Sequence, residues 1–110
     1  MPLSMTWPGT IVSGTEIGAP VTHLDLMPTL VAAGGAVLPD DRTINGRDMA
    51  PLWAGAERLT RPDDAIHCGT SDYRVVQAGG LKLQINPGSE QTWLFNLNSD
   101  PTEHTNLVEV

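Results

Sequence analysis

The sequence predicts an α+β fold in which a small antiparallel sheet of three to four strands packs against two or three short helices. Two segments carry helix-start and helix-stop residues, and a later segment alternates apolar and polar residues. The composition, 40% hydrophobic and 17% charged over 110 residues, is typical of a globular domain. We predict a single domain over 1–110, with an N-terminal strand and loop over 1–20, a helical part over 21–60, and an antiparallel meander with a terminal helix over 65–110.

The first patterned segment runs from Leu3 to Trp7, where apolar and polar residues alternate. Pro8 and Gly9 follow directly, and this dipeptide is typical of a turn. The segment is therefore predicted to be a short strand. Residues 8–20 contain further glycines and a proline, which favour a loop.

Two helices are predicted from their end signals. The carboxylate of Asp25 can accept the amide protons that have no partner in a first helical turn, and Gly34 and Gly35 supply a left-handed stop. Asp48 begins a second segment of the same kind, which ends at Gly55. We expect Asp25 and Asp48 to be helix caps.

The sheet is predicted from alternation with a period of two over 73–77 and 81–85. Gly79 and Gly80 turn the chain between these strands, so the pair reads as a hairpin. A third strand presents one apolar face, made by Trp93, Phe95 and Leu97. A sheet with one apolar face needs a cover, and the helices are the available one.

A terminal helix is predicted near the end of the sequence. Asp100 suits the N-cap position, Pro101 the first helical position, and Glu103 the third, which together make a capping box. The helix has only about two turns before Val110, so it needs docking to be stable.

The charge balance excludes several classes of partner. Thirteen acidic and six basic residues give a net charge of −7, which repels nucleic-acid phosphates and anionic lipids. No apolar run reaches the roughly 18 residues of a membrane span, and the N-terminus lacks a signal-peptide pattern. The single cysteine, Cys68, excludes an intrachain disulfide. These features predict a soluble, cytoplasmic chain, or a piece of a longer one, with no nucleic-acid or membrane partner.

Two side-chain groups could carry chemistry. Cys68 beside His67, with Asp72 nearby, suggests a thiolate–imidazole pair or a metal site. Adjacent residues of an extended segment point to opposite faces, and no CxxC or HxxxH spacing supplies more ligands, so a buried or incidental thiol is the favoured interpretation. His23 and Asp25 could share an acid–base or ligand role, but a cap explains Asp25 without a substrate.

Two acidic pairs, Asp40-Asp41 and Asp63-Asp64, each adjoin a proline and could bind calcium. No Asp-x-Asp-x-Asp-Gly pattern surrounds either pair, so both are interpreted as solvated turn residues. The sequence therefore predicts neither a metal nor a cofactor.

Five segments, in this order, resemble segments of the sulfatase family of the alkaline-phosphatase-like superfamily. The three longer ones are the Trp-Pro-Gly strand over 2–9, the Asp-Leu-x-Pro-Thr-Leu helix start over 21–30, and the Leu-x-x-Leu…Asp-Pro-x-Glu-x-x-Asn-Leu close over 94–107. Residues 44–48 resemble the family's Asp-Gly turn before a Pro-Leu helix, and residues 79–83 resemble its Gly-x-x-Lys-Leu hairpin. The likeness covers nearly the whole chain and implies the C-terminal portion of a type I, formylglycine-dependent sulfatase.

The resembled family consists of sulfuric ester hydrolases whose catalytic motifs belong to a larger N-terminal portion. Their nucleophile is a cysteine in a Cys-x-Pro-x-Arg context, oxidised to formylglycine, and several aspartates with an asparagine hold a calcium ion. Cys68 has no proline or arginine at the corresponding positions, and Lys82 does not match the sulfate-binding lysine. The resemblance therefore implies no catalytic, cofactor-binding or metal-binding residue in this chain.

Three functions remain open: a non-catalytic domain that associates with itself, a subunit that completes a split sulfatase, and a hydrolase with an improvised site. In the resembled family the strand over 3–7 belongs to a large central sheet that this chain lacks, so its backbone groups need a partner. We expect a homodimer through the N-terminal strand or the terminal helix. The alternative partner is a separate catalytic half. His23, His67 and Cys68 are the site candidates for the third function.

Overall fold

A computed structural model describes residues 2–61 and 65–109. The chain forms two compact units, Met1–Thr60 and Arg61–Val110. The first contains two α-helices, and the second contains a four-stranded antiparallel sheet, which confirms the predicted α+β class. The single domain expected from the chain length stays a prediction.

Both predicted helices form in the N-terminal unit. A 3-10 turn at His23–Asp25 leads into α1, Leu26–Ala33, and α2 spans Ala50–Trp53. Each helix ends in a Schellman motif, in which a glycine with positive φ follows the last turn. Gly35 has φ 70° after α1, and Gly55 has φ 98° after α2. The glycine stops predicted from the sequence are therefore confirmed.

The core of the N-terminal unit is a small cluster around α2. Met49, Leu52 and Leu59 are buried at its centre. Trp7 and Trp53 meet edge to face, with ring centroids 5.9 Å apart. The partly buried side chains around this centre are Met5, Ala19, Val21, Leu26, Trp53 and Ala56.

The strand predicted over 3–7 does not form. Residues 2–7 have no regular secondary structure, and a turn follows in which the N–H groups of Thr10 and Ile11 donate to the Trp7 carbonyl at 3.1 and 2.9 Å. A strand requires a neighbouring strand for its ladder, and none lies in the described part of this unit. The apolar positions serve packing instead, with Met5 against the core and Trp7 against Trp53.

The sheet of the C-terminal unit is a meander. Its strands are β1 (Ile66–Gly69), β2 (Arg74–Ala78), β3 (Leu81–Asn86) and β4 (Gln91–Asn96), and they pair in chain order. Gly79 and Gly80, with φ of 55° and 82°, join β2 to β3 in a two-residue hairpin of the kind that needs positive φ at both positions. The predicted hairpin is confirmed.

Apolar side chains lie on both faces of this sheet, whereas the alternation had predicted one apolar face. Val76, Leu83 and Leu94 are cross-strand partners and therefore share one face. On β4, Trp93 and Phe95 lie opposite Gln84 and Lys82 and share the other face. Of the side chains on the first face, Leu81 and Ile85 are 45% and 36% exposed.

The terminal helix predicted from Asp100 also does not form. Glu103 has φ 58°, a left-handed conformation that cannot continue an α-helix. Side-chain bonds to neighbouring backbone groups replace the helix here, and only a 3-10 turn at Leu107–Glu109 follows. No helix within residues 2–61 and 65–109 has the length and apolar character needed to cross a membrane.

Gly46 occupies a position where no side chain fits. It is buried, and a Cβ atom there would clash with the carbonyl group of Leu24. This close approach brings the loop before α2 against the start of α1. The neighbouring Arg47 N–H thereby reaches the carboxylate of Asp25 at 2.8 Å.

We expect Gly46→Ala to lower the free energy of unfolding by about 2 kcal/mol or more, because the backbone of Leu24 must shift to admit a methyl group. Gly18→Ala is the matched control, since Gly18 is exposed and a Cβ there meets no atom within 4 Å. Urea unfolding followed by tryptophan fluorescence measures both variants. Equal midpoints for the two would contradict the expectation.

Candidate functional site

The sequence-predicted site residues do not form a common site. His23 is exposed in the first unit, whereas His67 and Cys68 are exposed on β1 of the second. His67 pairs with Val76 and Cys68 with Val75, so the two side chains lie on opposite faces of the sheet. The Cys68 thiol is exposed, so of the predicted buried or incidental thiol the buried alternative is wrong.

The acidic pairs give no sign of a metal site. Within residues 2–61 and 65–109, no three His, Cys, Asp or Glu side chains are grouped so that they could hold a metal ion. Asp41 forms an ion pair with the adjacent Arg42 at 2.8 Å, and this hydrogen-bonded guanidinium lowers the pKa of Asp41. Asp63 and Asp64 lie outside the described residues.

Asp25 is the most deeply buried charged residue described, with 0% of its surface exposed. One carboxylate oxygen accepts the Thr22 N–H at 2.7 Å and the Thr22 hydroxyl at 3.3 Å. The other oxygen accepts the Arg47 N–H at 2.8 Å, across 22 residues of sequence. The carboxylate therefore joins the start of α1 to the loop before α2.

Thr29 extends this network into the core. Its hydroxyl donates to the Asp25 carbonyl at 2.6 Å and accepts the Met49 N–H at 2.9 Å. The Arg47 guanidinium closes its own loop by donating to the carbonyls of Ile44 and Gly46 at 3.2 and 3.1 Å. We call Thr22, Asp25, Thr29, Arg47 and Met49 the Asp25 network.

The two predicted helix caps have different outcomes. Asp25 stands at the N-cap position of α1, but α1 receives no side-chain cap bond from it, because its carboxylate turns back to Thr22 and across to Arg47. Asp48 lies one residue before the N-cap of α2, which is Met49, and its carboxylate accepts the Ala50 N–H at the helix start at 2.9 Å.

A second polar cluster lies in the C-terminal unit, over residues 100–108, and we call this segment the C-terminal clasp. The Asp100 carboxylate accepts the Thr105 N–H at 2.8 Å and closes the loop between them. Both Glu103 carboxylate oxygens contact Lys82 Nζ on β3, at 2.7 and 2.8 Å. Asp100 and Glu103 thus act as loop and ion-pair residues, and not as the helix caps that the sequence predicted.

Asn106 attaches the clasp to the sheet. Its Oδ1 accepts the N–H of Leu94 at 2.9 Å and that of Val108 at 3.2 Å, and its Nδ2 donates to the Thr92 carbonyl at 3.3 Å. One amide side chain therefore supplies an acceptor and a donor to the outer edge of β4.

Both clusters consist mainly of side chains that bind backbone groups. The Thr29 hydroxyl is engaged as donor and as acceptor, and the Asp25 carboxylate accepts N–H groups. In the C-terminal clasp, the exposed Thr102 hydroxyl lies 3.4 Å from His104 Nδ1 and donates to the Asp100 carboxylate at 3.4 Å. An open apolar groove of 460 Å³ in the N-terminal unit, lined by Leu3, Met5, Ile17 and Leu52 among others, presents no charged side chain.

α1 exposes an unusual amount of apolar surface. Leu24, Met27 and Leu30 are spaced by three residues and are 45%, 44% and 63% exposed. Val37, beyond the helix, is 92% exposed. No charged residue occurs between Asp25 and Asp40. A helix that is apolar on all sides is typical of a buried element.

The relatives that this chain matches are sulfatases. Steryl-sulfatase of Rattus norvegicus is 46% identical over 67 residues, which cover 61% of this chain and 12% of the relative. Arylsulfatase A of Bos taurus is 32% identical in an alignment 133 positions long, which covers 94% of this chain and 25% of the relative. The chain thus spans between 12% and 25% of the length of these two relatives. No protein-family model matches it.

A solved structure described as a sulfatase from Bacteroides thetaiotaomicron has the same fold, with a TM-score of 0.61 at 22% identity over 77% of this chain and 19% of that one. The chain is therefore homologous to part of a sulfatase, and the match fits the C-terminal portion predicted from its motifs.

Several residues of these clusters were not predicted. Thr29 and Arg47 give no signal beyond their place in the sulfatase-like motifs, and Asn106 stands in the final Asn-Leu. Lys82 and Glu103 are 21 residues apart, and nothing local relates them. Their pairing appears only once β3 and the clasp are folded.

Asp25→Ala is expected to lower the free energy of unfolding by about 3 kcal/mol, because the Thr22 and Arg47 N–H groups lose a charged acceptor. Hydrogen exchange should show the Arg47 amide losing protection before the rest of the unit. The exposed Asp40→Ala is the control and should match the unchanged chain. Retained Arg47 protection in Asp25→Ala would disprove the role of the carboxylate.

Asp100 should give the clasp a pH dependence. The backbone N–H of Thr105, followed by that of His104, holds the pKa of Asp100 below its ordinary value of 3.8. Its stabilising effect is therefore complete above the unfolded-state pKa and is lost as pH falls through the lower folded-state value. A carboxyl titration by NMR should show this lowered pKa, and Thr105→Pro, which lacks the N–H, should move it back up. An unchanged titration in Thr105→Pro would contradict the assignment.

Proposed function

We propose that this chain is a non-catalytic portion of a sulfatase, whose function is to complete the fold of the catalytic portion, on the same polypeptide or on another. The observation that carries the proposal is the apolar surface of α1. An all-apolar helix exposed to water is unfavourable, and a large apolar partner removes that cost.

The size of the effect supports a docking role. Burying one Leu or Met side chain that is otherwise exposed stabilises a complex by roughly 1.5–3 kcal/mol. Leu24, Met27 and Leu30 lie along one side of the helix start, so one apolar partner surface can cover all three. The lack of charge between Asp25 and Asp40 means that this contact requires no ion pairs.

The relatives indicate which protein the apolar surface of α1 would contact. In steryl-sulfatase and arylsulfatase A, the matching segment is a small part of a much longer chain. The natural neighbour of this segment is therefore the remainder of such a chain. Sulfuric ester hydrolysis belongs to that remainder in this proposal, because Cys68 lacks the proline and arginine that surround the nucleophile of the resembled family.

Self-association is the second candidate. The exposed Leu81 and Ile85 on one sheet face favour it. Dimerisation through an N-terminal strand or a terminal helix is no longer supported, since neither element forms in the described residues. A net charge of −7 on each copy also opposes contact between two identical surfaces at low salt.

The test is co-purification with a sulfatase truncated to remove the segment that matches this chain. We expect the unchanged chain to bind the truncated enzyme, raise its melting temperature and restore sulfate ester turnover. The paired variant Met27→Lys/Leu30→Lys should weaken binding by about a hundredfold or more, because two charges would be desolvated in the contact.

Val12→Lys is the matched control, since Val12 is 76% exposed and lies outside α1. It should bind like the unchanged chain. Failure of the unchanged chain to bind, together with a dimeric mass by light scattering, would favour self-association. Turnover by the isolated chain that disappears in Cys68→Ser or His23→Ala would show that the chain is itself an enzyme.

A further inference from the structure

The outer edge of β4 carries backbone N–H and C=O groups that β3 does not bind. Beside the β3–β4 ladder, the Leu97 N–H donates to the Gly80 carbonyl at 2.8 Å. In an antiparallel pair every second residue bonds to the neighbouring strand, so on β4 the residues that bond to β3 are Phe95, Trp93 and Gln91. The N–H and C=O groups of Thr92, Leu94 and Asn96 therefore point away from β3. Edge groups of this kind are a template for pairing with another strand.

The C-terminal clasp occupies this edge. Asn106 accepts the Leu94 N–H and donates to the Thr92 carbonyl, which are the two bonds that an incoming strand would make there. The Asn96 carbonyl accepts the Asp100 N–H at 2.8 Å. The clasp thus substitutes side-chain and turn bonds for a fifth strand.

The clasp is held shut by bonds that lie away from the edge itself. The Asp100 carboxylate fixes the Thr105 N–H, and the Lys82–Glu103 ion pair ties the middle of the clasp to β3. The side chains of this pair are only 23% and 32% exposed, so solvent screens it less than an open surface pair. Loss of either contact frees the segment that carries Asn106.

The uncovered edge would match a second copy of itself. β4 reads Gln-Thr-Trp-Leu-Phe-Asn, with no charge and no proline, which is typical of segments that form intermolecular sheets. A two-fold antiparallel pairing centred on Leu94 places Thr92 opposite Asn96 of the other copy. It also places Trp93 opposite Phe95 of the other copy, in the closer, non-hydrogen-bonded positions that favour aromatic pairs.

We propose that the C-terminal clasp guards β4 against self-pairing, and that opening the clasp lets β4 of two copies join as one antiparallel sheet. Clasp and second copy compete for the same N–H and C=O groups, so the fraction of open clasp sets the apparent affinity of the dimer. Each Asn106 bond contributes on the order of a fewfold to clasp closure, so removing both favours opening about tenfold in each copy. Because both copies must open, the dimer should tighten about a hundredfold.

The experiment is sedimentation velocity on the full chain over a range of concentrations, with a reducing agent present because Cys68 is an exposed thiol. Asn106→Ala should dimerise about a hundredfold more tightly than the unchanged chain. Adding Thr92→Pro should abolish this dimer, because proline removes an outward N–H that β3 does not use and leaves the existing ladder intact. Asn45→Ala, the same substitution at an exposed site in the other unit, should have no effect.

Lys82→Met provides an independent route, since it opens the clasp and leaves Asn106 in place. It should increase self-association to a smaller extent than Asn106→Ala, and it carries the test if Asn106→Ala does not fold. The proposal is overturned if neither variant associates more tightly than the unchanged chain, or if their dimers survive Thr92→Pro.

Discussion

A buried carboxylate, that of Asp25, is the constraint on which the N-terminal unit depends. Burying a charge is unfavourable unless hydrogen bonds replace its water, and here the N–H groups of Thr22 and Arg47 do so. The second of these bonds is available only because Gly46 allows its loop to contact the backbone of Leu24. One side chain therefore fixes the start of α1 and the approach to α2 together. Thr29 carries the same constraint to Met49 and so to the core.

The C-terminal unit solves a related problem at the edge of a sheet. A four-stranded meander leaves its outer strands with unpaired ladder groups, and Asn106 binds two of those of β4, the Leu94 N–H and the Thr92 carbonyl, without a further strand. The sulfatase-like motifs acquire a physical meaning in this arrangement. The lysine of the Gly-x-x-Lys-Leu hairpin and the glutamate of the Asp-Pro-x-Glu close form one ion pair, and the asparagine of the close covers the strand edge.

These two clusters give structural roles to several of the residues that carry the resemblance to sulfatases. The residues that carry the family likeness cap a helix, close a loop or bind a backbone group. The surface that remains unexplained by such roles is the apolar side of α1. A segment that spans between 12% and 25% of the length of its relatives is expected to leave such a surface where the rest of the protein belongs.

The sequence alone determined the features whose causes lie within a few residues. The two helices, their glycine ends, the bond from Ala50 to Asp48 and the Gly79-Gly80 hairpin follow from φ preferences and local hydrogen bonds, which do not need the rest of the chain. Only the tertiary structure decided the fate of residues 3–7 and of the Asp100 segment. Local signals favoured a strand and a helix there. A strand needs a partner that is absent from the described part of its unit, and contacts with Lys82 and β4 hold the clasp in a non-helical path. The candidate site followed the same division, because the neighbours of Asp25 predicted a helix cap, whereas its carboxylate binds Thr22 and, across 22 residues, Arg47. Such contacts depend on which distant segments folding brings together, and a local pattern does not contain that information.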